Sequence, residues 1–271
     1  MGGLTTAQIA RHYLVPEATM AQRISRAKRS LVGQGFDQPG EIRTVLRVLY
    51  VIFTEGHTGE VDLAHEAIRL TRQLAAVTDD PEVDGLLSLM LLTDARRAAR
   101  WTPTGELVPL TEQDRSRWDT DLIAEGVGIL QGALARDRLG EYQAQAAIAA
   151  LHDDAATAEQ TDWSQILEWY DDLAELTDSP VVALNRVVAL GEVDGPLAGL
   201  RELGAVDPSL PRYDAVAAYL HERAGNAAEA ARLYARAAAA AQTIAERQHL
   251  TKQAARLNSA PSAALGTVGW S

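Results

Sequence analysis

Thr19, Gln22, Arg23 and Arg26 fall at helical spacing along a short polar stripe. On a helix they share one face, and their chemistry suits nucleic acid: amide and guanidinium groups reach base edges, hydroxyl and guanidinium groups reach phosphate oxygens. Arg11, Lys28 and Arg29 lie close by and supply cations fit to anchor a DNA backbone. The alternative is the solvated face of an ordinary helical hairpin.

Two helices must position these groups. Thr5 with Gln8 three residues on forms a capping box, and Leu4 with Ile9 stands where a hydrophobic staple closes the entry to the first helix. Leu14-Val15 makes an apolar corner, and Pro16 at the first position of the second helix sets its entry without losing a hydrogen bond. Met20, Ile24, Ala27 and Leu31 then form an apolar stripe that packs on Ile9, Ala10 and Leu14, opposite the polar one. The motif is a helix-turn-helix, whose docking geometry puts the first half of the second helix in the major groove.

Charge supports this division of labour. Arg11, Arg23, Arg26, Lys28 and Arg29 stand against the single acid Glu17, so residues 1–36 carry +4 on a chain whose total is −12. A basic head on an acidic body fits one small module that meets a polyanion while the rest does not.

From Gly2 through Arg29 the chain resembles the second half of region four in extracytoplasmic-function sigma factors of RNA polymerase. It is similar to the subgroup with a long C-terminal extension like tetratricopeptide repeats. The resemblance runs on through Leu49-Tyr50-Val51-Ile52-Phe53-Thr54-Glu55-Gly56, Glu66-Ala67-Ile68-Arg69-Leu70, Leu89 to Arg97, Gln113 to Asp119 and Ser179 to Arg186. Thr54 stands where the family has Asn, and His57 where it usually has an aromatic residue. Region two and the first half of region four would precede Met1, so the chain looks like a C-terminal fragment or a frame started late.

The resemblance implies a bacterial transcription-initiation factor in the cytoplasm, with RNA polymerase core and promoter DNA as partners. Its head would recognise the minus-thirty-five element, with Thr19, Gln22, Arg23 and Arg26 on bases or phosphates and Arg11, Lys28 and Arg29 on the backbone. The extension would modulate that activity through the holoenzyme or the sigma regions. The rival reading is a helical protein–protein scaffold without DNA binding; a distant third is a metal-dependent enzyme.

Composition points to an all-α chain: 47% of the 271 residues are hydrophobic and only 5% aromatic, with alanine and leucine abundant. There is no cysteine, so disulfides, thiol catalysis and cysteine zinc sites are excluded. No stretch approaches the roughly 18 apolar residues of a membrane span, so no membrane partner is expected. His57, Asp62, His65 and Glu66 are the densest set of potential metal ligands, beside Thr54-Glu55. A glycine-containing break separates His57 from His65, so they do not share a helix face at zinc spacing. Catalytic groups, cofactors and metals are therefore not expected.

The expected organisation is a head over 1–36, a helical extension over 37–160, repeat-like hairpins over 161–258 and a loose tail over 259–271. Gly33-Gln34-Gly35 and Pro39-Gly40 mark a linker. Val45, Leu46, Leu49, Tyr50, Ile52 and Phe53 make one helix face, ended by Gly56-His57-Thr58-Gly59. Leu63, Ala67, Leu70 and Leu74 make the next, stopped at Asp79-Asp80-Pro81, and Val83 to Arg97 is a third helix. Pro103-Thr104-Gly105 suggests a small hairpin or an irregular loop, Thr111 with Asp114 a cap for the next helix, and Asp114, Arg115, Arg117 and Asp119 around Trp118 a set of ion pairs.

Trp163 to Leu176 reads as an amphipathic helix. Asp214 to Gln242 matches a tetratricopeptide hairpin at Ala218, Gly225, Ala230, Tyr234 and Ala237, and Val181 to Leu203 is a weaker copy with Gly191 and Gly195. Stacked pairs of this kind leave a concave surface for a protein or peptide partner.

Overall fold

The computed structural model describes residues 4–31, 40–58 and 63–259. Among these the chain is all-α, with thirteen α-helices. The linker expected around residues 33–40 lies outside the described residues except Gly40, as does the expected tail except Ser259, which closes the last helix. The helices sort into two compact units. The first takes the chain to Arg97 plus Asp119–Ala150; the second takes Ala98–Trp118 plus the chain from Leu151.

The first unit holds α1 (Thr6–His12), α2 (Glu17–Leu31), α3 (Ile42–Thr58), α4 (Leu63–Ala75), α5 (Pro81–Ala95), α6 (Thr120–Leu134) and α7 (Glu141–Asp154), the last turn of α7 falling in the second unit. Its axis is α5. Asp80 caps it by accepting from the Glu82 amide at 3.0 Å, Pro81 opens it, and it is apolar nearly all round because α3, α4 and α6 surround it.

Several expected faces are displaced. On α3, Leu46, Leu49, Ile52 and Phe53 are buried but Val45 is exposed. The break expected over Gly56–Gly59 falls inside that span: α3 runs through Gly56 and ends at Thr58. The glycine is there for contact: a Cβ on Gly56 would lie 2.4 Å from the Ala64 amide nitrogen, where α4 begins. On α4 the buried line is Ala64, Ala67, Ile68 and Thr71, with Leu63, Leu70 and Leu74 half-buried at its edges. Small residues at the centre let α4 approach α5, and the Thr71 hydroxyl donates to the Ala67 carbonyl at 2.8 Å, so its burial leaves no donor unmet.

The cap of α6 is Asp119, which accepts from the Asp121 and Leu122 amides at 3.1 and 3.0 Å. Thr111 instead sits in the 3₁₀ turn Leu110–Glu112, and Asp114 caps the next such turn through the Ser116 amide at 3.0 Å. The ion pairs expected around Trp118 give way to backbone contacts. Arg115 lies 4.4 Å over the Trp118 ring and donates to the His152 and Ala155 carbonyls at 2.7 and 2.8 Å, satisfying orphan acceptors where α7 ends.

The second unit stacks α8 (Trp163–Leu176), α9 (Pro180–Val193), α10 (Pro196–Leu203), α11 (Tyr213–Arg223), α12 (Ala227–Ala240) and α13 (Ile244–Ser259), each packed on the next. Leu184, Val187, Ala218, Leu220, Ala230, Tyr234, Ala237 and Leu250 lie in one core. Gly225 turns the chain between α11 and α12 at φ +79°, a conformation costly for a residue with a Cβ. A polar device repeats along the stack. Glu192 near the end of α9 accepts from Tyr219 and Arg223 of α11, and Glu222 near the end of α11 accepts from Arg256 of α13. The expected hairpin is present: Trp101 pairs antiparallel with Leu107, and the Gly105 amide donates to the Thr102 carbonyl at 2.9 Å.

Candidate nucleic-acid interface

The basic stripe is carried by a helix whose support is built residue by residue. Thr5 accepts from the Gln8 amide at 3.2 Å while the Gln8 side chain accepts from the Thr5 amide at 2.7 Å, completing the capping box of α1. At the other end the Val15 amide donates to the Ala10 carbonyl at 3.1 Å and the Leu14 amide to the Arg11 carbonyl at 3.2 Å. These two bonds close a Schellman motif, and the left-handed residue it demands is Leu14, at φ 51°. Leu14 therefore turns the chain and stays 43% exposed, and does not join the apolar corner expected of it. Pro16 caps α2 one residue ahead of the expected position, its carbonyl accepting from the Met20 amide at 3.1 Å.

The apolar stripe of α2 is short. Met20 is buried at 6% exposure, Ile24 is half-buried and Ala27 is exposed. The Leu31 side chain of the expected stripe lies outside the described residues; between Ala21 and Ser30, α2 is exposed apart from Ile24, and Gln22, Arg23, Arg26, Lys28 and Arg29 are all exposed; Thr19 is half-buried at the root of the stripe. Glu17, the acid of this helix, sits in its first turn, where the positive end of the helix dipole favours it. Arg29 returns to its own helix, donating from Nε to the Ser25 carbonyl at 3.3 Å.

The seat of the head is α3. Ala10 is 3% exposed; Arg11 Nη1 lies 3.9 Å from Glu55 Oε1; and the His12 ring meets the Tyr50 ring edge-on with centroids 6.0 Å apart. Tyr50 in turn packs edge-on against Tyr142 of α7 at 5.6 Å and directs its hydroxyl toward Gln145 Oε1 at 3.4 Å. Burial, with the Arg47 charge adding to it, holds the His12 imidazole below its ordinary range. Burial and the Glu141 charge push the Tyr50 phenol up to about 12. This seat escaped the sequence because the partners are far apart in the chain and no short-range spacing links Arg11 to Glu55.

The potential metal ligands are otherwise engaged where they are described. His65 Nε2 lies 3.5 Å from the buried Asp94 carboxylate, which also accepts from Arg97 Nε at 2.7 Å, and Glu66 pairs with Arg69 at 2.7 Å. The side chains of His57 and Asp62 lie outside the described residues.

An all-α chain that presents a basic helix on a capped helix-turn-helix is the class that this geometry defines. Among known proteins, residues 41–134, from the start of α3 to the end of α6, match the family described as Family of unknown function (DUF6596). An uncharacterized protein of Rhizobium meliloti (strain 1021) is 37% identical over 281 residues, covering 97% of this chain. The chain spans 66% of that relative's own length. No solved structure matches the chain. Among the described residues, no helix is long and apolar enough to cross a membrane.

Proposed function

We propose that the chain is the promoter-reading part of an extracytoplasmic-function sigma factor, in which α2 enters the major groove at the minus-thirty-five element. The observation that carries this reading is the exposed face of α2, where Gln22, Arg23, Arg26, Lys28 and Arg29 stand clear of the body with one acid on the whole helix. RNA polymerase core and promoter DNA are the partners, the compartment is the cytoplasm, and the chain acts by binding without a catalytic step. The helical stack of the second unit offers its surface to a protein or peptide that modulates initiation.

The test is titration of the purified chain with fluorescent duplexes by anisotropy, from low to physiological salt. Binding should weaken steeply with salt, by about 0.9 log unit per log unit of salt for each phosphate contact, and Arg23→Ala should weaken it further. No binding at the lowest salt would overturn the reading and leave a helical scaffold in its place.

A further inference from the structure

We infer that Glu55 is a built-in competitor for the DNA backbone. It holds Arg11, and through it the first helix of the helix-turn-helix, on α3, and so limits the affinity of the head for nucleic acid. The inference rests on the DNA-binding reading above and adds a residue of the extension that regulates it.

Three consecutive residues of α1 make the joint. Ala10 is buried, Arg11 Nη1 is 3.9 Å from Glu55 Oε1, and His12 stacks edge-on against Tyr50. Successive helix residues step by about 100°, so these three spread over about 200° of α1 and hold it from more than one direction, which keeps it from rolling on α3. The two charged groups differ in their access to water. The Arg11 side chain is 42% exposed, at the rim, where a phosphate can reach it; that of Glu55 is 12% exposed, lodged on α3. A phosphate that approaches Arg11 meets a carboxylate already 3.9 Å from the guanidinium, close enough to offset part of its charge and to repel the newcomer. The cation that the sequence offers to DNA is thus shared with an acid of the body, while Gln22, Arg23, Arg26 and Lys28 on α2 are exposed.

The proposal is tested on the full chain with four proteins: wild type, Glu55→Gln, Arg11→Ala and the double variant, each titrated with one duplex over a range of salt. Glu55→Gln should tighten binding about two- to fivefold, the range set by an ion pair near the surface. It should also steepen the salt dependence by up to about 0.9, one phosphate contact. The double variant should bind as Arg11→Ala alone does. If wild type binds and Glu55→Gln changes neither affinity nor salt slope, the competitor role is overturned and the DNA reading stands. If wild type binds no duplex, both fall together. A second measurement needs neither DNA nor the Glu55 variant: amide hydrogen exchange in α1 should quicken several-fold in Arg11→Ala. Unchanged protection of α1 would show that Arg11 does not hold the head, and would overturn the inference by itself.

Discussion

Glu82 of α5 caps α7 from outside: its carboxylate accepts from the Tyr142 and Gln143 amides at 3.0 and 3.1 Å, and Gly140 makes room for it. Gly140 occupies the cap position of α7 with no side chain to offer, and a Cβ there would fall 2.2 Å from Glu82 Cδ. The helix start that would ordinarily be satisfied by a neighbouring Ser or Asp is satisfied by an acid from another helix.

Glu82→Ala should therefore destabilise the first unit by about 1–2 kcal/mol, the usual worth of a lost cap. Gly140→Ala should cost a similar amount by expelling the same carboxylate. Chemical denaturation of both single variants and the double should show strong non-additivity, since each removes one interaction. Fully additive losses would mean that Gly140 serves some purpose other than admitting Glu82.

Leu14 gives the second prediction. A left-handed conformation costs a residue with a Cβ roughly 1–2 kcal/mol, and this one retains little compensating burial. Leu14→Gly should stabilise the head by on the order of 0.5–1 kcal/mol after the extra freedom of glycine in the unfolded chain is subtracted. Leu14→Val should be worse than wild type, because a β-branched side chain tolerates positive φ least. Thermal melting of the three proteins gives the order, and a Gly variant less stable than wild type would assign Leu14 a contact that outweighs its strain.

The third concerns the readout of sequence. Arg23→Ala should weaken DNA binding by about 1–3 kcal/mol and relax preference at one or two base pairs, whereas Lys28→Ala should weaken binding to all duplexes alike. Specific and scrambled duplexes separate the two effects. An equal, sequence-independent loss in both variants would place Arg23 on the phosphate backbone.

The lowered pKa of His12 makes the head's stability expected to fall in acid. Its folded-state pKa lies below the ordinary 6.5, so between the two values the unfolded chain takes up the proton first. Stability must then fall as pH drops from about 6.5 through the folded value, and the loss is complete below it. Glu141 acts in the opposite sense and lower down: burial raises its pKa, so its contribution weakens as pH rises from about 4.5. His12→Phe keeps an aromatic ring against Tyr50 and removes the proton. Denaturation midpoints of this variant should depend less on pH between 5 and 7 than those of wild type, and identical slopes would assign the dependence elsewhere.

Much of the head was legible in the sequence because its signals are local: a capping box needs residues three apart, and a polar stripe needs one helix. The hairpin of α11 and α12 was legible for the same reason, with Gly225 between two runs carrying small residues where the helices meet. What failed were inferences about neighbours distant in the chain and about what a residue does for its own backbone. Leu14 reads as an apolar corner because apolar residues are normally buried, and only the Schellman bonds show that its backbone role comes first. Gly56 reads only as part of a helix end, when it also admits the backbone of α4, and Asp119 reads as an ion-pair partner when it caps α6. Glu192 and Glu222 are ordinary acids in the sequence, yet each binds the helix two places further on. Glu55 stands out in the sequence only beside the potential metal ligands and within the resemblance, and nothing there links it to Arg11, which lies far back in the chain.

The interleaving of the two units has a consequence for synthesis. The first unit lacks α6 and most of α7 until residues 119–150 exist, and the ribosome must first make Ala98–Trp118, which belongs to the second. At the usual rate of about 5–20 residues per second, the stretch from the end of α5 at Ala95 to the end of α6 at Leu134 leaves α5, a helix apolar on nearly every side, without its α6 partner for some 2–8 s. The nascent chain in that interval is the form most exposed to aggregation and to chaperone capture.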